Sequence, residues 1–187
     1  YQVLFEKPES LRESLRIKEI EENLIKHLAH LPGSIPGQML MVGQSHIDLA
    51  WLWPMKEAVR KCSRTFSTMS TLLDENPNFT YAQSQPQAYA FVKEYYPDIY
   101  QRVKKHISDG RWEIVGGMWV EPDLNIPSGE SLVRQRLYGM KFYKDEFGQQ
   151  PRIEWLPDTF GYCASLPLLL KKAGLEYFMT TKMNWND

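Results

Sequence analysis

Cysteine is nearly absent from this chain. Cys62 and Cys163 are the whole supply, too few for a disulfide framework and without the paired spacing of a structural zinc module. A reducing compartment, and with it a cytoplasmic location, is the expectation. An excess of charge is missing too: 22 basic residues face 23 acidic ones for a net −1. No basic face is offered to a phosphate backbone, which argues against nucleic acid as a partner. No apolar run approaches the roughly 18 residues of a membrane span, so no membrane partner is expected either. The opening Tyr1-Gln2-Val3-Leu4-Phe5 has neither an initiator Met nor the basic, apolar and small-residue order of a secretion signal. The other end stops just past an apolar run, at Lys182 to Asp187. Both ends read as cut, so a segment of a longer polypeptide is expected. What is plentiful is apolar and aromatic: 43% hydrophobic, with six Trp and ten Tyr among 187 residues. That composition excludes a disordered chain and suits one globular domain or little more. It also suits a site with flat apolar walls, of the kind carbohydrate fits.

Periodicity divides the chain. Ile17, Ile20, Leu24, Leu28 and Leu31 recur at three and four and predict an amphipathic helix over residues 9–31. Pro32-Gly33-Ser34-Ile35-Pro36-Gly37 breaks it. Met39 to Gly43 is a continuous apolar run of the kind found in strands buried on both faces. Met55, Val59, Cys62, Phe66, Met69 and Leu73 predict the next helix, ended by Asn76-Pro77-Asn78. Strands are then expected at 79–82, 112–115, 153–156 and 177–181. Helices are expected at 86–95, 97–108, 130–147 and 166–173, several opened by Pro or closed by Gly. This alternation predicts an α/β fold, a parallel sheet with crossover helices, preceded by a helix. Chemistry in such folds sits at the carboxyl ends of the strands.

At the first strand end stands Gly43-Gln44-Ser45-His46-Ile47-Asp48-Leu49-Ala50-Trp51. Residues two apart on extended backbone point the same way, so His46 and Asp48 can present an imidazole and a carboxylate to one metal ion. On spacing alone the commoner reading is a loop histidine bonded to a capping aspartate. Trp51 and Trp53 are by default core. At the fourth strand end, Glu154-Trp155-Leu156-Pro157-Asp158-Thr159-Phe160-Gly161-Tyr162, Pro157 cannot donate to the ladder, so Asp158 should fall on the rim, as a ligand or as a turn carboxylate. His46, Asp48 and Asp158 together make a coherent metal-ligand set. After the third strand, Gly116-Gly117 permits close approach or positive φ, and Trp119, Glu121, Asp123 and Asn125 could line a sugar pocket. A surface carboxylate beside a proline turn is the favoured reading of Glu121. Glu130 suits the helix dipole.

Four blocks in order carry a resemblance: His46 to Pro54, Gly116 to Glu121, Ser128-Gly129-Glu130, and Trp155 to Tyr162. Together they resemble glycoside hydrolase family 38, the α-mannosidases, and most of all its bacterial and cytosolic branch, from about Met39 onward. The resemblance implies a zinc-dependent retaining exo-α-mannosidase on a seven-stranded β/α barrel. Residues 1–37 would be an N-terminal helical segment and linker, and residues 38–187 an incomplete catalytic barrel domain. It implies that His46 and Asp48 are zinc ligands and that Asp158 is both ligand and catalytic nucleophile. Trp51 and Phe160 would shape the mannose pocket, with Asp123 also in contact with substrate. The partner implied is an α-mannoside oligosaccharide, and whether the parent is a homo-oligomer is left open. Lys182-Met183-Asn184-Trp185-Asn186 resembles a further family block. A fourth ligand, a histidine, and the acid/base carboxylate would come from beyond residue 187. Alternatives are a metal-dependent polysaccharide deacetylase and a non-catalytic carbohydrate-binding fragment.

Overall fold

A computed structural model describes residues 11–30 and 39–185 of the chain. The chain divides into two units, one up to Leu40 and one from Met41 onward. The Pro32–Gly37 breaker, and the boundary expected at 37/38, lie outside the described residues. In the first unit helix α1, Leu11–Ala29, forms where the periodicity predicts it. Ile17, Ile20, Leu24 and Leu28 keep about half of their surface exposed. His27 and His30 turn Nδ1 to the carbonyls of Asn23 and Lys26, at 2.7 and 2.6 Å.

The second unit alternates strand and helix: β1 (Gly43–Gln44), α2 (Met55–Glu75), β2 (Tyr81–Gln83), α3 (Pro86–Tyr95), α4 (Pro97–Ser108), β3 (Trp112–Ile114), α5 (Gly129–Phe147), β4 (Ile153–Trp155), α6 (Leu166–Lys172) and β5 (Tyr177–Met179), followed by a 3-10 turn, Lys182–Trp185. Every strand pair is parallel. The expected run of five strands is split into a sheet ordered β1-β2-β3 and a pair β4-β5. One backbone bond joins them, Gly116 N–H to Ile153 C=O at 2.9 Å. The ladder goes no further because Gly116 and Gly117, at φ 74° and 135°, turn the chain away.

One other expectation needs correction. Met39 to Val42 is not strand: β1 is only Gly43–Gln44, and Met39, Leu40 and Met41 are 85–86% exposed. Pairing with β2 begins at Gly43↔Tyr81, so the apolar run before it has no ladder to join. On α2 the predicted stripe holds at Cys62, Phe66 and Leu73, with Met69 packed against the core. Ala58, Cys62, Phe66 and Leu73 are buried, whereas Met55 is exposed.

Two cores result. Helices α2, α3, α4 and α5 close over the first sheet around Phe66, Tyr81, Tyr89, Val92, Trp112 and Tyr143. Phe66, Tyr81 and Tyr89 meet the Trp112 ring edge to face at 4.6–6.4 Å, a geometry aromatic quadrupoles favour. Much of the aromatic content therefore builds core rather than a pocket wall. The indole N–H of Trp112 donates to Tyr89 Oη, which donates to Gln83 C=O, both at 2.9 Å, so burial leaves neither unpaired. The second core joins Met118, Leu124, Leu132, Leu156, Leu166 and Leu170.

The glycine turn is locked against α5. A Cβ at Gly139 would collide with the Gly117 carbonyl oxygen. In an open helix Gly→Ala typically gains about 1 kcal/mol. Gly139→Ala is expected instead to destabilise the protein by about 1–3 kcal/mol, since backbone cannot yield as a side chain can. A thermal midpoint at or above that of the wild type would refute this.

Candidate metal centre

The carboxyl ends of β1 and β4 bring His46, Asp48 and Asp158 together. One ligand atom from each lies within 4.8 Å of the others, and all three are partly buried. His46 Nε2 stands 2.9 Å from Asp48 Oδ1 and 3.6 Å from Asp158 Oδ2. His46 and Asp48, two residues apart, both lie in the short segment just beyond β1. Asp158 arrives because pairing in β4 ends where expected. The last ladder bond is Leu156 N–H to Met179 C=O at 3.0 Å, and Pro157 follows with no donor. Around that turn, Tyr162 Oη donates to Leu156 C=O at 3.0 Å and Thr181 Oγ1 to Pro157 C=O at 2.6 Å.

The other face of the imidazole meets a carboxylate that sequence reasoning had left at the surface. Glu121 Oε2 lies 2.9 Å from His46 Nδ1, and only 6% of the Glu121 side chain is exposed. The surface reading of Glu121 is wrong because the loop after β3 folds back against β2. Ser84 Oγ donates to Glu121 Oε1 at 2.7 Å, and Glu121 N–H donates to Gln85 Oε1 at 3.1 Å. Gln85 Nε2 in turn donates to Ile47 C=O at 2.8 Å. Gln85 is thus a buried clamp between the loops of β1 and β3. It sits at φ 65°, a strained region for a non-glycine residue that persists only where surrounding bonds enforce it. Burial pushes the His46 imidazole down. Glu121 and then Asp48 outweigh it, and the net position is raised to about 9.

Lys182, from the 3-10 turn after β5, places Nζ 2.7 Å from Asp158 Oδ1 and 4.3 Å from the Phe160 ring centroid. Phe160 is 70% exposed and Trp51 63%. The default reading of Trp51 as core is therefore corrected. The Trp51 ring meets Trp53 edge to face at 5.1 Å, and Trp53 lies under Lys61 Nζ. Trp119 is half-buried and lines a cavity with Ser131, Arg134, Gln135 and Tyr138. Its N–H donates to Gln87 Oε1 at 2.8 Å and its ring packs on Phe142. Asp123 uses Oδ1 to accept from the N–H groups of Asn125 and Ile126, both at 2.8 Å. These bonds hold its carboxyl below the usual range.

One imidazole nitrogen and two carboxylate oxygens are a donor set that divalent metals such as zinc accept. The set also fits by its second contact. With Nδ1 facing Glu121, Nε2 is the nitrogen turned to Asp48 and Asp158, as in sites where a carboxylate orients a ligating histidine. The signal that could have found Ser84, Gln85, Glu121 and Lys182 was their position, as polar residues just beyond β2, β3 and β5 on the rim where chemistry collects.

With strand ends, donor set and exposed aromatics in place, the class is a parallel α/β protein with a metal-competent rim, and its family follows. The chain belongs to the glycosyl hydrolases family 38 N-terminal domain, which matches residues 36–187. It is 48% identical over 146 residues to alpha-mannosidase G of Dictyostelium discoideum, covering 78% of this chain and 13% of that protein. To human alpha-mannosidase 2C1 it is 49% identical over 144 residues, covering 77% of this chain and 14% of the relative. The crystal structure of an alpha-mannosidase from Enterococcus faecalis V583 matches with a TM-score of 0.68 at 25% identity, over 74% of this chain and 16% of that one. The chain thus spans 13–14% of the length of these curated relatives. Its short parallel sheets are part of an α/β fold similar to that of this alpha-mannosidase structure. Among the described residues no helix is long and apolar enough to cross a membrane.

Proposed function

We propose that this chain is the N-terminal part of the catalytic domain of a zinc-dependent retaining exo-α-mannosidase, acting on terminal α-linked mannose of oligosaccharides. The five strands would belong to a seven-stranded β/α barrel closed by later sequence. The observation that carries the reading is the convergence of His46, Asp48 and Asp158 in a chain of this family. The relatives reported above are α-mannosidases, which weighs against the deacetylase alternative. The cysteines are unpaired, in keeping with a cytoplasmic enzyme.

His46 through Nε2, with Asp48 and Asp158 through one oxygen each, would hold the zinc. When bound, it supplies a Lewis-acid centre for sugar hydroxyls. Asp158 would be the nucleophile: a carboxylate oxygen bonds to the anomeric carbon as the glycosidic C–O bond breaks, giving a covalent mannosyl ester. The leaving oxygen takes its proton from a general acid, expected outside residues 1–187. Water then attacks the anomeric carbon and frees mannose and Asp158, with net retention. Lys182, beside Asp158 Oδ1, would fix the carboxylate's orientation. Trp51 and Phe160, exposed next to these groups in the chain, would pack on the sugar face. Asp123 serves more readily as the brace of its own loop.

The test is hydrolysis of an aryl α-mannoside by the full-length protein. Loss on chelation, recovery with zinc and α-mannose as first product are expected. Residues 1–187 alone should be inactive even with excess zinc, because a retaining pair needs an acid about 5–5.5 Å from the nucleophile. Robust turnover by the isolated segment, lost on Asp123→Asn, would place the acid here instead.

A further inference from the structure

Two atoms near the metal centre stand out because burial has left them only each other. His46 Nδ1 and Glu121 Oε2 are fully buried and neither makes a hydrogen bond. They nevertheless lie 2.9 Å apart, off the line a well-aligned bond would take. At that separation a hydrogen bond needs only that the ring N–H be aimed at the carboxylate oxygen. Glu121 cannot easily turn away to meet it elsewhere, since Ser84 holds Oε1 and Gln85 holds the backbone N–H. The carboxylate is thus fixed before any metal arrives, by residues from the end of a different strand. It bears on the one ring nitrogen that does not face Asp48 and Asp158.

From this we infer that Glu121 is a positioning residue for the metal centre, and that Ser84 acts through it. Glu121 accepts the Nδ1–H of His46, selects the tautomer whose Nε2 lone pair faces Asp48 and Asp158, and adds negative charge that strengthens the imidazole as a donor. Ser84 Oγ–H, bonded to the other carboxylate oxygen, keeps Glu121 aimed at the ring. Glu121 touches neither metal nor substrate in this arrangement. The inference rests on the zinc site proposed above and names what orients its only histidine among the described residues.

The test measures zinc affinity of the full-length protein by competition with a chromogenic chelator, beside the visible spectrum of the cobalt(II) form. The variants are Glu121→Gln, Ser84→Ala and the two combined, with folding checked by circular dichroism. Glu121→Gln keeps size and an acceptor oxygen but loses the charge. It should weaken zinc by about 10- to 100-fold, the usual scale for an outer partner of a ligating histidine, and shift the cobalt bands. Ser84→Ala should weaken zinc less. The double variant should be no worse than Glu121→Gln alone, because Ser84 has no route to the metal except through Glu121. A folded Glu121→Gln protein with wild-type zinc affinity and cobalt spectrum would overturn the inference, as would strictly additive losses. Mannosidase activity is read separately. Zinc affinity lost in Glu121→Gln from a protein that never hydrolyses a mannoside would sustain the positioning role and sink the enzyme reading. Normal zinc-dependent turnover with an indifferent Glu121→Gln would do the reverse. A wild-type protein that binds no zinc would remove both.

Discussion

Asp158→Asn in the full-length protein is expected to abolish mannoside turnover and loosen the metal in one step. The amide cannot form the mannosyl ester, so kcat should fall by more than about a thousandfold, the scale of a lost covalent nucleophile. The same change removes a negative charge from a cluster where His46 Nε2 is 3.6 Å away and Lys182 Nζ 2.7 Å away. Zinc content after gel filtration, measured by elemental analysis, should drop in parallel. A variant that kept zinc but lost turnover would separate the two roles. One with near-normal hydrolysis would assign the nucleophile to another residue.

The largest expected effect on stability lies behind the site. Arg136 of α5 and Glu154 of β4 form an ion pair at 2.7 Å with side chains only 8% and 1% exposed. Arg136 Nη1 also donates to Gly116 C=O at 2.9 Å, which ties the glycine turn to β4. Burial pushes the Glu154 carboxyl up, with the Arg136 guanidinium and the backbone N–H groups of Trp155 and Met118 pulling back. Two further guanidinium nitrogens, Nε and Nη2, are buried without a hydrogen bond. Glu154→Gln leaves that cation with no counter-charge, and the expected loss is about 3–5 kcal/mol. In a chain of this size that lowers the thermal midpoint on the order of 10 °C. The double variant Arg136→Met, Glu154→Leu should recover part of it, because desolvation of both charges disappears along with their attraction. It should not recover all, since the Gly116 carbonyl loses its donor. A loss under about 1 kcal/mol for the single change would mean that water reaches the pair.

Helix and strand order was legible because it depends on local periodicity and on breakers such as Pro86, Pro97 and Gly148, each found at a helix end. The His46–Asp48 pair was legible for a similar reason, since two ligand-type residues at a spacing of two beyond a strand are visible in a short segment. The end of β4 was legible at Pro157, which lacks an N–H. The failures share a cause. A continuous apolar run at Met39 to Val42 has no period that says whether a neighbouring strand covers it. Composition counts aromatics without sorting Trp112, buried under four helices, from Trp51 on the rim.

By itself the sequence determined which residues could be ligands and that they stand at strand ends, because donor chemistry and backbone repeat are properties of short segments. Only the tertiary structure decided how those groups are partnered. Glu121 reaches His46 because the β3 loop folds onto β2. Lys182 reaches Asp158 because β5 lies parallel beside β4. Gln85 is held at positive φ because two loops need its amide. Each is a long-range contact whose strength comes from burial, and burial is a property of the folded chain and not of any short stretch of sequence.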